Sequence, residues 1–321
     1  MLYKILTIGK NTFIETIRQP IYVVILTAAM LLFLLSPSIS MYTLDEDVKL
    51  LREIGLSTLF LTGLFIAIFS ATSAVTEEIE TKTITTVLSK PIHRPAFIFG
   101  KFIGLSAAVI LAHYIGTIAM LMTIRHGVLE SANDSHDWTV IISAIVVIVF
   151  TVLLTAFFNF TYDWNFAAAI TTLLLFFSTA AIIFLSLIDR DFKFNPANNQ
   201  INMFDINASI LILQAVLVLV AVAVMFSTRF NVILTLISCI GVFMLGLISD
   251  YIFGRYADTH VWAKIGRMLV PNLQLFWVTD AIYEGSSVSL HYIGVTSAYA
   301  GVYVAGMLLL AIAFFQKRQV G

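Results

Sequence analysis

Eight apolar runs dominate this chain, at about 21–41, 56–76, 102–124, 139–159, 165–188, 209–227, 231–253 and 292–314. Each is close to the ~20 residues a helix needs to cross ~30 Å of hydrocarbon. In lipid, an unbroken apolar run of this length satisfies its backbone only as a helix, because membrane strands alternate polar and apolar residues. The expected fold class is therefore all-α: a polytopic membrane helix bundle of about eight transmembrane helices, in a single domain over residues 1–321. Composition points the same way. Of the 321 residues 60% are hydrophobic and only 12% are charged, about half the share usual in soluble domains. A net charge of −1 with no basic stripe argues against nucleic acid as a partner. Cys239, the one cysteine, cannot pair within the chain.

The first run is too long for a signal-peptide core and lacks a small-residue cleavage site. Ahead of it, within residues 1–19, Leu2, Ile5, Leu6, Phe13, Ile14 and Ile17 recur at helical spacing, with Lys4, Lys10 and Arg18 among the polar positions. This is the pattern of a helix lying in the membrane interface, or of one docked on protein. The connections at 160–164 and 228–230 are short enough to make antiparallel hairpins. Eight spans place both termini on one side. If that side is the cytosol, the inner segments hold ten basic and five acidic residues and the outer segments eight and fourteen. The inner basic residues also sit in shorter segments, so the expectation is an inner (plasma) membrane protein with cytosolic N- and C-termini.

The span centres carry no Asp, Glu, Lys or Arg, which disfavours ion-coupled transport and voltage sensing. Gly9-Lys10 and Gly100-Lys101 lack the upstream glycine of a Walker A loop. No hydrolase signature and no Cys/His metal spacing appears either. Catalytic, cofactor-binding and metal-binding residues are expected to be none.

Residues 77–101 are the most informative stretch. Ile79, Thr83, Ile84, Val87 and Leu88 share one helical face. Glu77, Glu78 and Glu80 sit in the first turns, where they favour the helix dipole, and Pro91 ends the helix. The result is a short amphipathic helix within 77–95, with a span at each end. Glu78-Ile79-Glu80-Thr81-Lys82-Thr83, then Leu88-Ser89-Lys90-Pro91, then Arg94 and Gly100-Lys101, resembles the signature of ABC-2-type transporter permeases. That signature reads E-x-E-x-G-T, L-L-S-x-P-[VI]-x-R and a G-K opening the next span. The resemblance implies a coupling helix docked on a cytosolic ABC ATPase subunit, with Glu77, Glu78, Glu80, Thr81, Lys82, Thr83, Pro91 and Arg94 as the contact. It further implies no cofactor in this chain, ATP and Mg bound by the partner, a second permease chain as homo- or heterodimer, and export. Lys82 stands where the family commonly has Gly, and typical members have six spans. A non-transporting membrane anchor is the alternative reading.

Gly100, Gly104, Ala108, Ala112 and Gly116 form a ridge of small residues that suits either close packing within the chain or a dimer seam. His113 and Gln214 lie inside spans, each expected to be hydrogen-bonded to a neighbouring helix or to serve a pathway or gate. Segment 254–290 suits two half-helices dipping into the interface, broken at Pro271 and Asn272 with Asp280 at the outer mouth, or a water-exposed loop. Short re-entrant helices before the last span are what the resemblance implies here.

Overall fold

The computed structural model describes residues 2–41, 47–78, 93–129, 135–278 and 287–316. These residues form eleven α-helices and no strands. They are α1 Leu2–Arg18, α2 Pro20–Ser40, α3 Asp47–Ala71, α4 Arg94–His126, α5 Trp138–Tyr162, α6 Phe166–Leu187, α7 Met203–Ser227, α8 Val232–Leu247, α9 Ser249–Ile252, α10 Val261–Leu269 and α11 Leu290–Gln316. Among the described residues, seven helices are long and apolar enough to cross a membrane.

The expected span at 231–253 is not straight. Its residues form α8, 16 residues long and so only ~24 Å, and then turn by 63° into a short helical stretch from Ser249 to Tyr256. The cause is packing from a later segment. Leu273 and the Pro271 carbonyl press directly on Gly246, leaving no room even for a Cβ. The chain is turned aside there, and Ser249 Oγ donates back to the Gly246 carbonyl at 3.2 Å.

Polar caps mark where helices start. Asn165, Asn202 and Asn231 each accept a hydrogen bond from an N–H in the first turn of α6, α7 and α8. Such caps satisfy donors that lipid would leave bare. Pro20 and Pro95 occupy first-turn positions of α2 and α4, where a missing N–H costs nothing. At the α5–α6 hairpin Asp163 adopts the left-handed conformation, φ 53°.

Helices α3, α4 and α7 make the centre. Their most apolar windows are 72%, 56% and 72% buried, against 28–33% for α2, α5, α6 and α11. From Leu211 to Met225, α7 is buried on nearly every side, as expected of a helix that is apolar all round. α5 is the opposite case. It packs chiefly on α6 and exposes Ile145, Ile148, Phe150, Leu153 and Phe157, side chains suited to hydrocarbon.

The α5–α6 hairpin is tied to α4 by a buried ion pair. The Arg125 guanidinium lies 3.2 Å from Asp137, and the two side chains are 2% and 0% exposed. Arg125 also donates to Thr139 Oγ1 at 3.0 Å, to the Ile188 carbonyl at 2.8 Å and to the Leu185 carbonyl. Arg190 approaches the same carboxylate at 3.6 Å and donates to the Arg125 carbonyl at 3.0 Å. Asp137 additionally caps α5 through the N–H groups of Thr139 and Val140. Burial pushes this carboxyl up, but its hydrogen bonds from Thr139 and Val140 and the Arg125 charge outweigh burial and hold it below the ordinary carboxylate value.

Removing one partner of such a pair strands the other, at about 3–5 kcal/mol. Asp137→Asn is therefore expected to lower the midpoint of thermal unfolding in detergent markedly. A carboxyl depressed in the fold contributes fully above its unfolded value of about 4 and loses that contribution as pH falls through the folded value. Wild-type protein should show this acid step, and the variant should lack it. An unchanged midpoint would contradict the clamp.

Candidate functional site

On the α1 face of the bundle the chain leaves α3, passes through residues 79–92 and re-enters at α4. Glu80, Thr81, Lys82, Thr83, Pro91 and Asp280 lie outside the described residues. What the structure describes is how the two ends of that segment are held. α3 finishes in a π-helical turn, Thr72–Glu77. Within it Ser73 accepts a hydrogen bond from Gln19 at 2.8 Å, and Thr76 Oγ1 donates to the Ser227 carbonyl of α7 at 3.2 Å. Glu77 closes the turn with its backbone.

Glu78 then pairs with Lys101 at 2.6 Å. The Lys101 ammonium is 5% exposed and sits 5.5 Å from the Phe97 ring. Burial raises the Glu78 carboxyl above its ordinary value, with Lys101 opposing and Glu15 adding to the rise. At the re-entry, the Arg94 guanidinium donates to the Phe315 and Gln316 carbonyls at 2.9 and 2.7 Å. It also lies over the Phe315 ring at 5.5 Å, and Phe315 stacks on Phe97 at 5.5 Å. Glu78 and Arg94, read from sequence as partner contacts, thus direct these charges into the chain, one to α4 and one to the C-terminal carbonyls of α11. Lys101 was legible only as the K of the G-K pair. Its partner Glu78, 23 positions earlier, has no signal in local spacing.

The small-residue ridge of α4 faces this chain's own helices. Gly100 meets Ile8 and the Ile5 carbonyl of α1, Gly104 meets Gly9 and Thr12, and Gly116 meets Leu59 of α3. Ala108 and Ala112 are buried, and Tyr22 of α2 donates to the Ala108 carbonyl at 2.8 Å. α1 therefore docks along α4, with Gly9, Thr12 and Thr16 inward and Leu2, Tyr3 and Leu6 exposed.

Midway, α7 carries the polar contacts. His113 Nε2 lies 2.9 Å from both the Ser209 carbonyl and Ser209 Oγ, and Thr117 Oγ1 lies 2.6 Å from the same hydroxyl. Gln214 donates to Ser297 of α11 at 2.7 Å. His113 Nδ1 and Gln214 Oε1 have no hydrogen-bond partner among the described residues. Toward the opposite face Arg52 of α3 pairs with Asp205 at 2.8 Å and covers Phe204 at 5.7 Å. Sequence reasoning missed both this pair and the Arg125–Asp137 pair, because each joins ends of different helices. Asp137 directly before an apolar run, with Thr139 two residues on, was a readable cap signal.

The segment before α11 packs against the bundle, though not as two half-helices. Its first half is helix α10, with Trp262 and Met268 exposed. The second is one 3-10 turn, Leu273–Phe276, because Asn272 Oδ1 caps only the Gln274 N–H and Trp277 is already extended. Tyrosines on α11 hold the segment. Tyr303 donates to the Leu269 carbonyl at 2.7 Å, the Asn272 N–H donates to Tyr299 at 2.8 Å, and Tyr292 donates to the Leu275 carbonyl at 2.7 Å. Tyr292 and Tyr303 are ~16 Å apart along the helix axis. Residues 269–275 therefore run antiparallel to α11, from about its midpoint back to its first turn. Pro271 is buried, as are Leu273 and Phe276.

A bundle of apolar helices with few ionisable groups, none grouped three or more to hold a metal ion among the described residues, defines a multi-pass membrane protein. A family model described as ABC-2 family transporter protein matches residues 6–257, and the chain belongs to that family. It is accordingly a membrane subunit of an ABC transporter, working with an ABC ATPase partner. A search of curated proteins returns no match.

The tightest test of the site's frame is at Gly104, where a Cβ would fall 2.7 Å from the Thr12 Cβ. Gly104→Val is expected to pry α1 from α4 at a cost of about 1–3 kcal/mol. The readout is faster proteolytic release of α1 while the remaining spans stay protected. Unaltered cleavage would mean α1 is not seated there.

Proposed function

We propose that this chain is the membrane-spanning subunit of an exporter driven by a separate cytosolic ABC ATPase, which binds ATP and Mg. In this reading α1 and both termini face the cytosol in the plasma (inner) membrane, in keeping with the excess of basic residues in the inner segments. Two such chains, alike or related, form the pathway between them.

The observation that carries the reading is the pair of anchors around 79–92. One joins the end of α3 to α4 through Glu78 and Lys101. The other joins the start of α4 to the end of α11 through Arg94. A push on this segment from a soluble partner is therefore delivered to three long helices at once, and through Thr76 to α7. ATP binding and hydrolysis would set the populations of two bundle states through that linkage. α11 also grips the re-entrant segment, so its displacement is the route by which a cytosolic stroke reaches the outer mouth.

The experiment isolates the chain with its native partner and reconstitutes the complex. A cysteine replaces Gln274 in a Cys239→Ala background, and its labelling by an impermeant maleimide is timed with and without ATP. The labelling rate should respond to ATP. Lys101→Met should keep the partner bound and hydrolysing while the response falls by about tenfold, a loss of ~1.4 kcal/mol of coupling. A nucleotide-hydrolysing partner with no ATP response in the parent complex would favour a non-transporting anchor. Absence of such a partner would refute the proposal.

A further inference from the structure

The ion pair between Arg125 and Asp137 has immediate neighbours of one kind. His126 follows Arg125 at the end of α4, and His136 precedes Asp137 at the start of α5. Clamping the charged pair draws the two imidazoles together across the turn, with ring centroids 5.7 Å apart and His126 Nε2 3.5 Å from His136 Nδ1. That separation is long for an N–H···N hydrogen bond. It is close to the ~3.3 Å between two nitrogens that share a tetrahedral zinc at ~2.0–2.1 Å each.

The rings are also held in the required sense. His126 Nδ1 lies 3.0 Å from the Gly127 carbonyl. Only a protonated Nδ1 can donate to that oxygen, which leaves the lone pair on Nε2, the atom facing His136. A carbonyl behind a ligating imidazole is the usual device for fixing tautomer and orientation. Gly127 reaches this position through φ 75°, a conformation that suits glycine, with its N–H bonded to the Thr123 carbonyl at 3.1 Å. His136 rests edge-on against Trp138 at 5.9 Å. It is exposed, and His126 is half-buried, so an ion has access from solvent on the face opposite α1.

We propose that His126 and His136 form a two-histidine site for a divalent late transition metal, Zn²⁺ in the first instance, with water completing the coordination shell. Among the described residues, Arg125, Arg190 and Asp137 form the ionic cluster beside the pair. The two atoms that face each other are imidazole nitrogens, whereas hard cations such as Ca²⁺ and Mg²⁺ take oxygen ligands. Neutral imidazole nitrogens suit Zn²⁺ and Ni²⁺. Two protein ligands make binding micromolar rather than structural. A bound ion would bridge the end of α4 to the start of α5, beside the clamp that already joins them.

The test uses the full chain in lipid nanodiscs, purified on a tag without histidine and stripped with chelator. Zn²⁺ is titrated by competition with a chromophoric chelator, and Ni²⁺ is followed by its ligand-field absorption. Wild-type protein should take up one Zn²⁺ per chain at micromolar concentration. His126→Gln and His136→Gln should each weaken uptake more than about tenfold, while His260→Gln and His291→Gln leave it unchanged. Because His136 is exposed, its variant should fold normally. No uptake by the wild type, or equal uptake by the His126 and His136 variants, would overturn the site.

Discussion

A helix enclosed by other helices in a bilayer can choose its neighbours only by shape and by the few hydrogen bonds it makes across to them. α7 depends on both. Its long apolar stretch fills the centre, and four polar points fix its rotation and height. Asp205 reaches α3 through Arg52, Ser209 reaches α4 through His113, and Gln214 reaches α11 through Ser297. The Ser227 carbonyl takes the Thr76 hydroxyl of the π turn. Each of the first three contacts addresses a different helix, so together they specify an arrangement that packing of similar apolar surfaces would leave degenerate.

Most of this architecture was legible because hydrocarbon imposes a length on every crossing and tolerates no bare backbone. The straight spans and both short hairpins follow from that alone. The bent span does not, since nothing within 231–253 announces a break. Gly246 is where Leu273 and the Pro271 carbonyl pack closely on α8, and those residues arrive later in the chain. Two half-helices were expected on either side of Pro271 and Asn272, yet the second half is a single turn because side chains of α11 satisfy its backbone in place of helical bonds. Long-range charge pairs were similarly opaque. Arg52 and Asp205 are 153 positions apart, and periodicity holds no information at that range.

Ion pairs join helix ends at both faces, and the two differ in what accompanies them. Near α1, buried or half-buried charges join helix ends, and glycines let α1 lie directly on α4. At the opposite face, phenolic hydroxyls and backbone carbonyls hold residues 269–275, beside the Arg52–Asp205 pair and the ionic cluster that joins the end of α4 to the start of α5. α3, α4, α7 and α11 each carry polar contacts at both faces and so relate one to the other.

The π turn at the end of α3 has a geometric consequence of its own. It winds one more residue into its loop than an α-helix does. Tightening to α-helical pairing would swivel everything downstream by about 100° and lengthen the axis by ~1.5 Å. Glu78 is the first side chain past that coil, so the same tightening would swing its carboxylate off the Lys101 ammonium. One residue of slack is thus stored beside the charge contact that it would undo, and α3 can pay it out without unravelling.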